Sequence, residues 1–308
     1  PRQPDLGVGG RTFGAGGYSR ALLESGAVKV FGIDKDPNVI KLSQDLSEEF
    51  SGRFSFFLGK FSKVEEFVDK AIVDGVIFDL GVSSMQLDQA KRGFSFRHDG
   101  PLDMRMGEGG LSAADIVNSF EEEEIADILF QYGEEKSSRL IAKKIVSARP
   151  ITSTLSLSTI IHGCFNNRTD TKTHPATKSF QALRIAVNDE LAELVRGLEA
   201  AERILKPGGE LVVVTFHSLE DRIVKKFLRS RSIGKGNANR HSPTSEDVSP
   251  SFILKSSKPY LVKDNERQSN PRSRSAKLRI AIRSDADPFS PQRKKLGLPK
   301  LAMKSLTL

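Results

Sequence analysis

Glycine and acidic residues near the start of the chain have the types and spacing of a cofactor-binding loop. Six glycines lie between Gly7 and Gly17, and Asp34 ends the next apolar run, 20 residues after Gly14. Glycines let the backbone approach a ligand closely, and a following helix offers N–H groups to an anion. An acid at the end of the second strand can accept both hydroxyls of a ribose. The pattern predicts S-adenosylmethionine or a nicotinamide dinucleotide, and Gly-x-Gly-Gly in place of Gly-x-Gly-x-x-Gly favours the former. The alternative is a flexible turn without a ligand.

A second carboxylate, Asp79, ends another apolar run in the segment DLGVSS (79–84). Methylation of an exocyclic amine requires the nitrogen lone pair to be aimed at the methyl carbon, and a conjugated amine is a poor nucleophile. A carboxylate that accepts the amine N–H would stabilise the positive charge that develops on the nitrogen. Asp79 is therefore a candidate catalytic residue. The alternative is an ordinary helix cap or turn residue.

The segment FHSLEDR (216–222) directly follows a third apolar run. His217 could shuttle a proton or bind substrate, and Ser218 could contact substrate beside it. Equally, Ser218 with Glu220 and Asp221 could simply begin the next helix. A Ser–His hydrolase is disfavoured because the sequence contains no Gly-x-Ser-x-Gly elbow.

Two further segments, RGFSF (92–96) and DGPLDMRM (99–106), interleave aromatic and basic residues. Such residues can stack on an unpaired base and contact phosphates, and an enzyme that modifies a base must take it out of its stack. The alternative is a loop that packs Phe94 and Met104 on its own domain. The candidate substrate contacts are Arg92, Phe94, Asp103 and Arg105.

These residues need a scaffold that brings the ends of several strands together. Apolar runs at 28–33, 54–58 and 73–80 alternate with helical segments, which is typical of a parallel, doubly wound α/β sheet. Ligands bind beyond the carboxyl ends of such strands. A stretch of helices, predicted over 112–118, 121–132, 136–148 and 154–164, then interrupts the pattern. One long helix is predicted over 188–205, and residues 252–262 and 276–283 could supply the last strands as a hairpin. The predicted domains are a core in two parts (1–99 and 181–283), an inserted helical domain (100–180) and a basic irregular tail (284–308).

Composition and charge exclude several classes of protein. The chain of 308 residues has one cysteine, Cys164, so a disulfide framework is excluded and no metal site is expected. No run approaches the roughly 20 apolar residues of a membrane span, and no secretory signal opens the chain. The net charge of +8 is uneven, since residues 225–308 hold 20 Lys and Arg against 6 Asp and Glu. This imbalance suggests a nucleic-acid partner, or else only a solvated tail.

Motifs spread over residues 10–283 resemble the ribosomal RNA small-subunit methyltransferase H family, which is cytosine-N4-specific and S-adenosylmethionine-dependent. DGPLDMRM and FHSLEDR in that order are the most specific. The other matching segments are TFGAGG (12–17), IDKDP (33–37), DLGVSSMQLD (79–88), RGFSF (92–96), YGEE (132–135), HPATKSFQALRIAVNDEL (174–191), LKPGG (205–209) and NPRSRSAKLR (270–279).

The resemblance implies a class I methyltransferase, Rossmann-like, with an inserted helical domain for RNA recognition. It implies S-adenosylmethionine as cofactor and N4-methylation of a cytidine in the decoding region of small-subunit ribosomal RNA. The partner would be that RNA or the ribosomal subunit. Asp79 and His217 are the catalytic candidates. By residue match, the cofactor contacts are Gly16, Gly17 and Tyr18 for the methionine part, Asp34 for the ribose, Phe61 for adenine, and Asp79 and Gln86 near the methyl group.

Three departures from the family affect the cofactor loop. The usual Asp-Gly before Thr-x-Gly is Gly10-Arg11, the usual His is Tyr18, and most of the first strand is expected to be missing. Asp5 could replace the lost acid. The competing hypothesis is a non-catalytic RNA- or ribosome-binding protein with a degenerate methyltransferase fold. The segments SSMQLD and PRSRSAKLR are more similar to organellar members, so the sequence favours a mitochondrial protein over a bacterial cytoplasmic one.

Overall fold

The computed structural model describes residues 6–10, 13–165, 174–232, 249–290 and 293–299, so Asp5 and Arg11 lie outside the described residues. The chain divides into two compact units. One comprises the described residues of Pro1–Gly81 and Leu191–Leu298, and the other those of Val82–Glu190 and Pro299–Leu308. Within the described ranges, no helix has the length and apolar character needed to cross a membrane.

The elements follow one another along the chain as strands, then a run of helices, then strands again. The strands are β1 (Leu6–Gly10), β2 (Lys29–Asp34), β3 (Phe54–Leu58), β4 (Val73–Asp79), β5 (Leu205–Thr215), β6 (Phe252–Leu254), β7 (Tyr260–Leu261) and β8 (Lys277–Arg283). The helices are α1 (Gly17–Glu24), α2 (Ile40–Glu49), α3 (Ser84–Asp88), α4 (Ala113–Ser119), α5 (Glu122–Gly133), α6 (Ser138–Ser147), α7 (Thr154–His162), α8 (Thr177–Asn188), α9 (Glu190–Ile204), α10 (Ser218–Ser232) and α11 (Asp264–Ser269).

The strands of the first unit form one sheet in the order β3-β2-β1-β4-β5-β8-β6, and β7 also pairs with β8. Neighbours from β3 to β5 are parallel, whereas β8 is antiparallel to β5, β6 and β7. The chain order reverses between β1 and β4, which creates the switch point where doubly wound sheets bind ligands. The predicted α/β fold class is confirmed. The last strands do pair in the antiparallel manner of a hairpin, as expected.

β1 lies at the centre of this sheet. It pairs in parallel with β2 on one side and β4 on the other, with Val8 opposite Phe31 and Val76. Five residues are enough for a strand of ordinary length. The expectation that most of the first strand is missing is therefore wrong. The backbone of β1 forms parallel hydrogen-bond ladders with β2 and with β4, so this short segment joins the two strands into one sheet.

α9 and α10 are linked to each other by a buried ion pair. α9 turns Leu194, Leu198 and Ala201 inward, all fully buried, in the spacing of an amphipathic helix. Glu202 of α9 and Arg231 of α10 are each about 1% exposed and form an ion pair of 2.7 Å. A buried pair of this kind is strongly destabilised when one partner is removed, so it locks the two helices together.

The second unit is helical, with α4 to α8 enclosing its own apolar core. The helices α4 to α7 occur within two residues of the predicted positions at both ends. The long helix predicted over 188–205 is confirmed as α9, which begins two residues later because Asp189 adopts a left-handed φ of 49° and separates α8 from α9. The unit also includes 82–99 and 181–190, two segments that the sequence predicts as part of the core.

Candidate cofactor and catalytic site

The glycine loop is a tight turn closed over the ring of Phe13. Gly16 N–H donates to the Phe13 carbonyl at 2.8 Å, and Gly14 and Gly16 have φ values of 56° and 78°. Phe13 is buried and packs on Phe54 with ring centroids 5.5 Å apart. A Cβ at Gly16 would lie 2.8 Å from the Phe13 ring. Glycine is thus required there by both the backbone angle and the close approach.

α1 starts directly after this turn and has no side-chain cap. Its first turn contains no acidic residue, and the N-cap position is Gly16. A Cβ at Gly17 would have no other heavy atom within 4 Å among its described surroundings, so the space beside it is open. The first N–H groups of a helix lack partners within the helix and carry partial positive charge. This end of α1 can therefore receive an anionic group.

Asp34 connects the end of β2 to the glycine loop. Its Oδ2 accepts the Gly14 N–H at 3.1 Å and its Oδ1 accepts the Asp36 N–H at 2.9 Å. The residue is 3% exposed. Burial raises the pKa of Asp34 to about 6, against the opposing effect of these hydrogen bonds. Each carboxylate oxygen has a second lone pair, so Asp34 can also accept hydroxyl hydrogens of a ligand.

Asp79 ends β4, opposite Val214 of β5. Burial raises the pKa of Asp79 to about 6, and the charge of Glu220 adds to the shift. The phenol of Tyr18 interacts with the same carboxylate. Burial raises the pKa of Tyr18 to about 12, and the negative charges of Asp79 and Glu266 raise it further. Near neutral pH the carboxylate is therefore mostly ionised and the phenol protonated. Tyr18, Asp79 and Glu220 form an electrostatically coupled group at the strand ends.

Glu220 and His217 cap the start of α10. Glu220 is fully buried and accepts the N–H groups of Phe216 at 2.9 Å and His217 at 3.4 Å. The His217 Nδ1 accepts the Glu220 N–H at 3.4 Å, and its Nε2 lies 3.1 Å from Glu220 Oε1 without hydrogen-bond alignment. The alternative that this segment begins a helix is thus confirmed. The catalytic role of His217 stays a prediction, as does the substrate contact of Ser218, which is exposed at the first residue of α10.

Comparison with known proteins identifies the family. The family model described as the MraW methylase family matches residues 8–284. The chain belongs to this family. Three relatives of this methylase family, each named ribosomal RNA small subunit methyltransferase H, are bacterial. The chain is 53% identical to the protein of Cereibacter sphaeroides (95% of this chain, 89% of the relative), 54% to that of Roseobacter denitrificans (94% and 88%) and 55% to that of Methylorubrum populi (92% and 83%).

A solved structure of an rRNA methylase from Streptococcus thermophilus is also similar, with a TM-score of 0.37 at 12% identity over 92% of this chain and 89% of that chain. The family match confirms the predicted methylase class and its cofactor, S-adenosylmethionine. The preference for a mitochondrial protein finds no support, because the relatives are bacterial proteins.

The glycine loop of this methylase fits S-adenosylmethionine on two observations. The uncapped start of α1 beside the open space at Gly17 suits the cofactor's carboxylate. The buried carboxylate of Asp34 suits a ribose diol. Asp34 accepts a hydrogen bond from Gly14 of the glycine loop, and Tyr18, at the start of α1, interacts with the charge of Asp79. The structure therefore brings the glycine loop, Tyr18, Asp34 and Asp79 together.

Two other predicted cofactor contacts have structural roles in the methylase. Phe61 is 3% exposed, and its ring centroid lies 5.0 Å from that of Phe78. The Phe61 ring is so close to Gly197 that a Cβ added at Gly197 would clash with it. Gln86 belongs to the second unit, where it is buried and completes a capping box by accepting the Ser83 N–H at 3.1 Å. Their contacts with adenine and near the methyl group stay predictions.

The two predicted substrate loops, 92–96 and 99–106, are joined by hydrogen bonds within the second unit. Phe94 is 7% exposed and Met104 fully buried in the helical core, which is the packing alternative given above. Arg92 donates to the carbonyls of Arg105 at 3.0 Å and Met106 at 3.2 Å. Phe94 therefore has no open ring face for a base, and its predicted stacking role is not supported by its placement.

Asp103 and Arg105 are the more accessible pair of these loops. Their side chains form an ion pair of 2.7 Å and are 33% and 37% exposed. The pKa of Asp103 is lowered by Arg105 against the effect of burial, and that of Arg105 is raised by Asp103. Both are charged at neutral pH, so Arg105 remains the loop's best candidate for a phosphate contact.

Sequence reasoning missed two residues that shape the site. Glu220 shifts the pKa of Asp79 and caps α10, and Phe13 supports the glycine turn. Each had a signal. Glu220 stands three residues after the helix-starting His217, which is the position of the acid in a capping box. Phe13 is the one aromatic residue between the two glycine clusters.

Proposed function

We propose that this protein methylates the N4 amine of a cytidine in small-subunit ribosomal RNA with S-adenosylmethionine as methyl donor. The observation that carries the proposal is the convergence of three features at the strand ends: the glycine turn, the buried Asp34, and Asp79 coupled to Tyr18 and Glu220. The printed names of relatives above 50% identity support the RNA substrate.

Four residues would hold the cofactor. The N-terminus of α1 at Gly16 and Gly17 would bind the carboxylate of the methionine part, with Tyr18 beside it. Asp34 would accept the ribose hydroxyls. The bound cofactor supplies a methyl group activated by its sulfonium.

Asp79 would accept an N–H of the cytosine amine. Because its pKa is about 6, it is mostly ionised at pH 7 to 8 and can take this role without prior proton loss. An acceptor placed there orients the amine and stabilises the charge that develops on nitrogen. The protonated Tyr18 can donate within the same group. His217 is proposed to support the substrate from the start of α10, with Ser218 beside it.

The second unit is proposed to recognise RNA, with Arg105 and Asp103 at its surface. Its helical core would present these loops rather than take part in methyl transfer. Gly93 shows how tightly they are built: it has a φ of 71°, and a Cβ there would clash with the Pro101 backbone. We further propose that the protein acts in a bacterial cytoplasm, the alternative that the relatives favour.

The test is methylation of small-subunit RNA by the purified chain with labelled S-adenosylmethionine, followed by mass spectrometry of the nucleosides. N4-methylcytidine in the wild type and its loss in Asp79→Ala are expected. Calorimetry with S-adenosylmethionine separates the competing hypothesis. Absence of binding at millimolar cofactor, with RNA binding retained, would establish a non-catalytic RNA-binding protein instead.

A further inference from the structure

A basic cavity of the first unit lies apart from the site described above. It has a volume of about 400 Å³ and is bounded by the second half of α10, the segment between β6 and β7, and β8. Two leucines complete its wall. Its polar lining comprises Lys225, Arg229, Arg279, Ser232, Ser256 and Ser257. Three basic residues and three serines thus line one concave space, and no acidic residue is among the described residues that line it.

The helix geometry gathers the cations on one side. Lys225 and Arg229 are four residues apart and Ser232 follows three later, so they share a face of α10. Lys225 and Arg229 are exposed. Neither forms an ion pair with a carboxylate in the part of the chain that the structure describes. Their charges are therefore available to a ligand.

Arg279 is held in place at the floor of the cavity. Its Nε donates to Asp221 Oδ1 at 2.7 Å and its Nη1 to the Ser257 carbonyl at 3.4 Å, and it is 8% exposed. Asp221 also pairs with Lys277 at 3.1 Å. Asp221 is thus matched by two cations and does not offset the positive charge of Lys225 and Arg229.

We propose that this cavity binds a backbone phosphate of the RNA. The inference rests on the proposed function, because it takes RNA as the substrate. Lys, Arg and Ser side chains are the usual phosphate contacts, and these contacts set register and orientation without reading sequence. Leu228, in the cavity wall, is ten residues after Ser218 on the same helix, a distance of about 15 Å along the axis. The cavity would hold the strand a short way from the target base.

The test compares Lys225→Ala/Arg229→Ala with the control Lys41→Ala/Lys70→Ala, which removes equal charge from exposed positions of the same unit. Binding of a labelled small-subunit RNA fragment is measured by fluorescence anisotropy between about 0.05 and 0.2 M salt. Each lost phosphate contact lowers the slope of log affinity against log salt by about 0.7–0.9. The cavity variant loses one phosphate contact and should therefore lose about 0.7–0.9 of slope, so its loss of affinity relative to the wild type shrinks about threefold over this salt range.

If the slope of log affinity against log salt is the same for the cavity variant and the control variant, the inference is overturned. Methylation of RNA by the wild type decides the proposed function separately, so failure of one is distinguishable from failure of the other. Lys225→Arg/Arg229→Lys keeps the charge and should keep the slope, which separates a charge effect from misfolding. Weakened binding of polyglutamate by the alanine variant, with unchanged RNA binding, would assign the cavity to an acidic protein and also overturn the inference.

Discussion

Replacing Asp79 by Asn should greatly slow methyl transfer and at the same time stabilise the folded protein. Burial, with the charge of Glu220 second, raises the pKa of Asp79 from 3.8 to about 6. The folded protein therefore holds a proton on this group more tightly than the unfolded chain does. At about 1.36 kcal/mol per unit, the ionised carboxylate destabilises the fold by up to about 3 kcal/mol. The destabilisation is absent below pH 4, grows between about pH 4 and 6, and is complete above pH 6.

The measurement is urea unfolding of the wild type and Asp79→Asn at pH 4 and pH 8. Asp69→Asn, at an exposed carboxylate of the same unit, is the control. Asp79→Asn should gain stability at pH 8 only, and methyl transfer at pH 8 should fall by about 10²–10⁴. A variant that is less stable than the wild type at pH 8, or equally changed at both pH values, would refute the reasoning. Near-full methylation by the variant would refute the catalytic role.

Three further substitutions test other parts of the structure. Wild-type affinity for S-adenosylmethionine should fall as the pH drops through about 6, because Asp34 becomes protonated there. Asp34→Asn should bind the cofactor weakly at every pH. Calorimetry measures both affinities, and a variant that keeps the wild-type pH profile contradicts the ribose role. Glu202→Ala leaves Arg231 as a buried charge without its ion-pair partner and should lower the free energy of unfolding by about 3–5 kcal/mol; a loss below 1 kcal/mol in urea would show that the pair is not buried as described. Gly197→Ala places a Cβ against the Phe61 ring and should destabilise the fold by about 1–3 kcal/mol. Unchanged affinity for the cofactor would assign Phe61 to the core. A large loss of cofactor affinity would instead support its contact with adenine.

The sequence by itself determined the sheet and the positions of the main carboxylates. Strand and helix periodicity are local, so β2, β3 and β4 were placed within a residue or two. Asp34 and Asp79 follow directly from the ends of those strands, because parallel strands present their carboxyl ends at one edge. The cofactor and the methylase family followed from motifs distributed along most of the chain.

Only the tertiary structure decided which side chains are available. Phe94 and Phe61 resemble ligand contacts in sequence, yet Phe94 is buried in the core of the second unit and Phe61 is buried against Gly197, which lies 136 positions away. Local spacing does not encode such pairings, because they depend on which surfaces meet after the chain has folded. The coupling of Glu220 to Asp79 has the same origin. It arises where the ends of β4 and β5 become neighbours, so the pKa of the proposed catalytic carboxylate is a property of the fold.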